Sequence, residues 1–229
     1  MAPETVSDVR RVLLVLLVVP FAAGCGGGEK KAASTASTTT SATTASTTPA
    51  GFTVRSVKNE GFSIAVPKEW RSLDASDALR GPALQRFKRE NPAAAPAIEA
   101  LAQPNSPMKL VAIDPAGGKF ATNVNVLVSR VPADASFAAW TRAETAQLAA
   151  LKPTNLRKGT VQLRPGKAYR VAYRARLTIR GVPRQLALHQ YMVKRGPFLY
   201  VVTFTTTAER DRRLAPTFER SARTFTLSR

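Results

Sequence analysis

Apolar residues recur along this chain at two spacings. From Gly61 onward, Phe62, Ile64 and Val66 alternate with smaller or polar residues until Pro67 ends the run, which predicts a short strand. Met108 to Ile113 is a continuous apolar run, and Asp114-Pro115-Ala116-Gly117-Gly118 follows it as a turn. Val124, Val126 and Val128 then alternate with Asn123, Asn125 and Leu127, so the two runs predict a hairpin. Further on, Tyr169, Val171, Tyr173, Leu177 and Ile179 alternate with Arg170, Arg174, Arg176 and Arg180. A turn at Gly181-Val182-Pro183 leads to the run Gln185 to Val193, and Gly196-Pro197 turns into Phe198 to Thr206. These three runs predict an antiparallel meander.

The other spacing is helical. Ser136 is placed to cap a helix from Phe137 to about Leu151, on which Phe137, Trp140, Leu148 and Leu151 form one stripe. Glu144 falls within that stripe, so its carboxylate needs a cationic or hydrogen-bonding partner to stay charged. It is either half of an ion pair with an arginine or a site residue at the edge of a cleft. Residues 76–103 are rich in Ala and interrupted by Pro82, Pro92 and Pro96, which predicts two short helices. At the end of the chain, Glu209 and Asp211 suit the start of a helix, and Leu214, Phe218, Ala222 and Phe225 give it an apolar face. Pro216 is expected to kink or restart that helix. Strand, helices, hairpin, helix, meander and helix, in that order, predict an α+β fold: an antiparallel β-sheet covered by helices.

The first fifty residues have a different texture. Arg10-Arg11 precede an apolar run, Val12 to Ala23, which is too short to cross a bilayer of about 30 Å and contains Pro20. It reads as the apolar region of an export signal. It ends in Ala22-Ala23-Gly24-Cys25, which resembles the lipobox of bacterial lipoproteins, with Ala22 where Leu is usual. The resemblance implies cleavage before Cys25 and diacylglycerol on its sulfur, and two or more acyl chains make a stable anchor. Gly26-Gly27-Gly28 and a stretch of Ala, Ser and Thr over 32–50, broken only by Pro49, then read as a disordered tether. The expected organisation is a signal over 1–24, lipidated cysteine and tether over 25–50, and one globular domain over 51–229, on the extracytoplasmic face of a membrane.

Charge narrows the choice of partners. Lys and Arg total 34 against 15 Asp and Glu, a net charge of +19. Such a chain attracts anionic partners: lipid headgroups, wall polymers or acidic proteins. Nucleic acid is not expected, because export places the domain outside the cytoplasm. The competing account is that the charge serves only solubility. Cys25 is the sole cysteine, so no disulfide forms within the chain.

A search for catalytic chemistry returns little. His189 is the only histidine and lies mid-strand, so no multi-histidine metal site is possible, and a packed strand histidine is the plainer reading. The sequence has no Gly-x-Ser-x-Gly elbow and no phosphate-binding glycine motif. No metal, cofactor or catalytic residue is expected. The best binding feature is the arginine row: Arg170, Arg174, Arg176 and Arg180 share one strand face, with near neighbours about 7 Å apart. Such a row can grip phosphates or carboxylates. It can also be a solvated face, or one covered by helices whose acids pair with it.

Several stretches resemble the family of extracytoplasmic lipoproteins related to mycobacterial LpqN, within the wider fold shared by plant PsbP and the Ran-binding Mog proteins. They are Gly61 to Pro67 followed by Trp70, Asn123-Val124-Asn125-Val126, Gly196 to Phe204, and Phe218 with Ser221 to Phe225. The resemblance implies a PsbP/Mog-like α/β/α sandwich that acts as an adaptor or binding domain, without a shared catalytic set. Three functions follow as expectations. The first is a non-enzymatic interaction module for an envelope protein or an anionic envelope component. The second is a carrier of a lipid or other apolar ligand, in a pocket between sheet and helices lined by Trp70, Trp140 and Tyr191, with Glu144 at its edge. The third is a hydrolase using Glu144 and His189.

Overall fold

A computed structural model describes residues 48–74 and 105–228, except 118, 119, 135 and 180, together with Gln85, Arg89, Glu99 and Gln103. The expected signal, Cys25, the tether as far as residue 47, and Arg180 lie outside the described residues, as do the helices expected over 76–103 apart from those single positions. Among the described residues no helix is long and apolar enough to cross a membrane.

Among the described residues ten strands form two antiparallel sheets. The smaller has the order β1-β2-β10, with β1 at Phe52–Val57, β2 at Phe62–Pro67 and β10 at Thr226–Leu227. A single 3-10 turn, Lys58–Glu60, joins β1 to β2 and ends at Gly61, whose φ of 67° is a left-handed conformation that glycine adopts without steric cost. The larger sheet has the order β3-β4-β5-β9-β8-β7-β6. Its strands are β3 (Arg71–Asp74), β4 (Met108–Ile113), β5 (Asn123–Arg130), β6 (Thr154–Leu163), β7 (Gly166–Ile179), β8 (Val182–Arg195) and β9 (Phe198–Thr207). Two helices lie wholly within the described residues, α1 (Phe137–Ala149) and α2 (Asp211–Arg223).

Strand alternation sorts the large sheet into two faces, each with its own core. On one face Val124, Val126, Tyr191, Val193, Val202 and Phe204 join β2 residues Phe62, Ile64 and Val66 and helix residues Leu214, Phe218 and Ala222. On the other, Leu127, Tyr169, Val171, Tyr173, Leu186, Leu188 and Val201 meet Trp140 and Leu148 of α1. Helices therefore cover opposite faces of the sheet, as the alternation along β7 requires.

Helix α1 carries the expected stripe. Trp140 and Leu148 are buried, Phe137 and Leu151 pack beside them, and the Ser136 hydroxyl accepts the Ala139 N–H at 3.1 Å as an N-cap. Helix α2 runs from Asp211 to Arg223 as one element, so Pro216 does not restart it. Pro216 and Arg212 are both exposed, so water can reach the Arg212 carbonyl that the proline leaves unbonded, and burial of Leu214, Phe218 and Ala222 on the opposite side holds the helix together. Phe218 stacks on Phe204 at 5.0 Å and meets Trp70 edge-on at 6.5 Å.

The far end of α2 is bonded to the small sheet. Ser221 Oγ donates to the Ala65 carbonyl, and Thr224 Oγ1 accepts the Ala65 N–H at 2.7 Å. Ser63 and Thr226 hydroxyls pair at 2.7 Å across 163 residues. Strands β1, β3, β6 and β10 were not expected from the sequence pattern, and the meander has four strands rather than three.

Candidate functional site

The near end of α2 meets the large sheet at its β6 edge, and there the described residues form a cleft of about 420 Å³. Its walls are Asn155, Leu156 and Arg157 of β6, Ala172, Tyr173 and Arg174 of β7, His189 of β8, and Asp211 of α2. The register explains the hollow. Arg157, Ala172, His189 and Phe204 lie in one cross-strand row on the face that α2 covers. The row beside it is Gly159, Arg170, Tyr191 and Val202. Ala172 and Gly159 are small, so the space between the larger side chains stays open; a Cβ on Gly159 would meet nothing within 4 Å. At the start of β6 a bulge sets Asn155 and Leu156 against Tyr173 alone, since Thr154 pairs with Arg174 and Arg157 with Ala172. Asn155 takes a φ of 53°, a left-handed conformation that Asn tolerates better than most residues.

A chain of charge runs through the cleft wall. Asp211 Oδ1 lies 2.7 Å from His189 Nε2, and Asp211 Oδ2 accepts from the Arg174 guanidinium at 3.3 Å. His189 is only 2% exposed and stands edge-on to Phe218 at 5.5 Å. Burial pushes its pKa below the ordinary histidine value, outweighing the opposing pull of Asp211, while Arg170 and Arg157 depress it further. His189 is therefore neutral at pH 7. A neutral imidazole facing a carboxylate carries its proton on the nitrogen nearest that carboxylate, so Nε2–H donates to Asp211 and Nδ1 is left as an acceptor. Nδ1 is buried and has no hydrogen-bond partner among the described residues.

Helix α2 is anchored on its other side by the preceding residue. Arg210 donates to Asp114 Oδ2 at 2.7 Å and to Thr122 Oγ1 at 2.9 Å, and Thr122 in turn meets Thr206 at 2.8 Å. Consecutive residues thus tie the helix start to β8 and β7 through Asp211, and to the β4–β5 connection through Arg210.

The residues singled out from the sequence are distributed as follows. Arg174 lies in the cleft and pairs with Asp211. Arg170 is half-buried, and its guanidinium lies 5.8 Å over the Tyr191 ring, close enough to Glu219 of α2 to help hold that carboxyl below its usual range. The Arg223 hydrogen bond is the main cause of that depression. Arg176 is exposed. Among the described residues the row is thus partly engaged by acids of the helix above it, and Arg176 is its open member.

Trp70, Tyr191, Trp140 and Glu144 do not line one pocket, and that expectation is corrected. Trp70 and Tyr191 belong to the core under α2, whereas Trp140 and Glu144 belong to α1 on the opposite face. Glu144 also lacks an ion-pair partner among the described residues. Burial raises its pKa, and it sits near the Tyr173 hydroxyl, whose own pKa is raised by burial and by Glu144.

Arg157 and the pairing of His189 with Asp211 were not expected. Thr160-Val161-Gln162-Leu163 does alternate ahead of a turn at Arg164-Pro165-Gly166, so β6 had a local signal. The contact between His189 and Asp211 had none, because it depends on where α2 lands. Among the described residues no group of His, Cys, Asp and Glu could hold a metal ion.

No protein-family model and no curated protein matches the chain. Solved structures do. Cyanobacterial PsbP from Synechocystis is similar at 16% identity with a TM-score of 0.47, covering 78% of this chain and 94% of that one. LpqN, involved in cell envelope biogenesis of Mycobacterium tuberculosis, is similar at 11% identity with a TM-score of 0.42, over 73% and 83%. The Ran-binding protein Mog1p of Saccharomyces cerevisiae is similar at 8% identity with a TM-score of 0.46, over 77% and 95%. The chain is an antiparallel α+β protein, and these PsbP-, LpqN- and Mog-type structures are what it is similar to.

Proposed function

We propose that the protein is a non-enzymatic binding module, held on the extracytoplasmic face of a membrane by lipid on Cys25, that contacts an anionic envelope component or an envelope protein through the β6–β7 face. The observation that carries this reading is the cleft, lined by Arg157 and Arg174 from two neighbouring strands beside His189 and a single carboxylate, with Arg170 near enough to act on the histidine. Arg176 extends the positive face beyond it. Guanidinium groups gathered on one open face favour phosphate and carboxylate groups and give binding that salt weakens. The exposed arginines are the ones to change, since Arg174 already supports Asp211. In the full-length acylated protein, Arg157→Glu with Arg176→Glu should abolish salt-sensitive binding to anionic vesicles or isolated cell envelopes. Unchanged binding in that double variant would remove the basis for the proposal. The carrier reading loses its lining, because the four residues on which it rested are divided between the two faces of the sheet.

A further inference from the structure

We infer that the outer edge of β6 is a docking site for an acidic, extended segment of a partner protein, which joins the large sheet as a further antiparallel strand. This rests on the reading of β6 and β7 as the contact region. It adds that the partner is a protein and that the bonding runs from backbone to backbone.

An outer strand turns the N–H and C=O of every second residue away from its sheet, and a segment of another chain can pair with them. Among the described residues β6 ends the large sheet and pairs only with β7. It has ten residues, against six in β1, four in β3 and two in β10, the other outer strands. Every residue from Thr154 to Thr160 is exposed, as is Gln162, so this edge lies open to solvent. The features that blunt an outer strand sit at its start: the bulge at Asn155 and Leu156, and the charges of Arg157 and Lys158. From Arg157 to Leu163 the pairing with β7 runs without a shift, and Gly159 to Leu163 holds no charge and no proline. Gly159 puts no side chain beside an incoming backbone, and its surroundings are empty for 4 Å where a Cβ would stand.

Charge selects the occupant. Residues 152–170 contain six cations, Lys152, Arg157, Lys158, Arg164, Lys167 and Arg170, and no acid. A second copy would bring the same charges to the same edge, whereas an acidic segment meets opposite charge. Lys158 pairs with Val171, which belongs to the core under α1, and Arg157 pairs with Ala172 on the face that α2 covers. An incoming strand therefore meets a cation on each face at successive positions, and two successive acids match them. Further along, Val161 packs against the core under α2, so an apolar residue suits the place opposite it. A lipid headgroup or an anionic polymer satisfies the charge but leaves the backbone ladder unmade.

The test uses the full-length protein in neutral detergent and an acetylated, amidated peptide, Val-Thr-Val-Thr-Val-Glu-Glu. Laid antiparallel to β6, its two glutamates face Lys158 and Arg157. Binding should protect alternate β6 amides from hydrogen exchange. Methylating the peptide nitrogens of one alternate set of residues should weaken binding at least about tenfold, because those N–H groups make the ladder. Methylating the other set, which points to solvent, should leave it within about threefold. Lys158→Glu should weaken binding about fivefold, and replacing the penultimate glutamate by lysine should restore it. Equal effects of the two methylation patterns would overturn the inference, since charge alone would then explain the binding. So would the absence of peptide binding in a protein that still binds anionic vesicles, and in both cases the proposed function stands alone. Concentration-dependent dimers with protected β6 amides and no peptide would assign the edge to a second copy and overturn it too. A protein that bound neither the peptide, nor vesicles, nor isolated envelopes would sink both proposals.

Discussion

His189 and Asp211 are 22 residues apart in the chain and 2.7 Å apart in the fold, and their hydrogen bond joins the middle of a central strand to the first turn of the last helix. Asp211 also holds Arg174, so its removal leaves a buried donor and a guanidinium group without their acceptor. Asp211→Ala is expected to lower stability by about 2–3 kcal/mol in a denaturant titration of the full-length protein. Asp211→Asn, which can still accept from His189 but carries no charge, should recover part of that loss.

Stability should fall on mild acidification. His189 has a lower pKa folded than unfolded, so the unfolded chain takes up its proton first, and folding is penalised as the pH drops below about 6.5. The full contribution is present above that value and declines below it. Thermal melts at intervals between pH 5 and 7.5 should show this slope, and His189→Gln should flatten it. An identical slope in the variant would show that other groups carry the effect.

Glu144 is expected to behave in the opposite sense. Its carboxyl has a raised pKa in the fold, so ionisation is disfavoured there and stability declines as the pH rises above 4.5, the ordinary value. Glu144→Gln should therefore raise the Tm at pH 7, by about 2 °C for a domain of this size, and leave it unchanged at pH 4. A lower Tm at pH 7 would mean that a cation supports the carboxylate.

Phe218 is fully buried between Phe204, Trp70 and His189. Phe218→Ala should cost about 3–5 kcal/mol, since the rings around it come from strands β8 and β9 and from the turn between β2 and β3 and cannot collapse into the gap together. Loss of near-ultraviolet dichroism from Trp70 would accompany the loss of stability.

Anchoring is tested at Cys25. Palmitate labelling of the wild-type protein and its absence from Cys25→Ser, with the variant released from the membrane fraction, are the expected results. Equal labelling of the two would place any lipid elsewhere.

The legibility of this fold in its sequence follows physical lines. Elements with a strong period were readable: the Phe62 strand, the hairpin at Val124, and helix α1 with its Ser136 cap all stand where the alternation or the stripe puts them. Strand β6 was missed because most of its residues are exposed, and only Val161 and Leu163 at its end give it a period of two. The candidate site was only half legible. The arginines of β7 could be placed on one face by counting. That the same face would carry His189, and that α2 would lower Asp211 onto it, depends on strand order and helix docking, which no local pattern encodes. The pocket expected around Trp70 and Trp140 failed for the same reason: aromatic residues far apart in the chain give no sign of which side of a sheet each will cover.

Strand β2 is bordered by β1 on one side and by β10 on the other, so one of the earliest strands of the domain is completed by the last. The order of events in making the molecule follows from this. A partly synthesised or partly threaded chain has β2 with an open edge and an unfilled place beside Ala65, where Ser221 and Thr224 will later bond. Closure must wait for residues 221–227. A barrier dominated by contacts this distant makes folding slow, and leaves the early strands exposed to whatever guards unfinished chains.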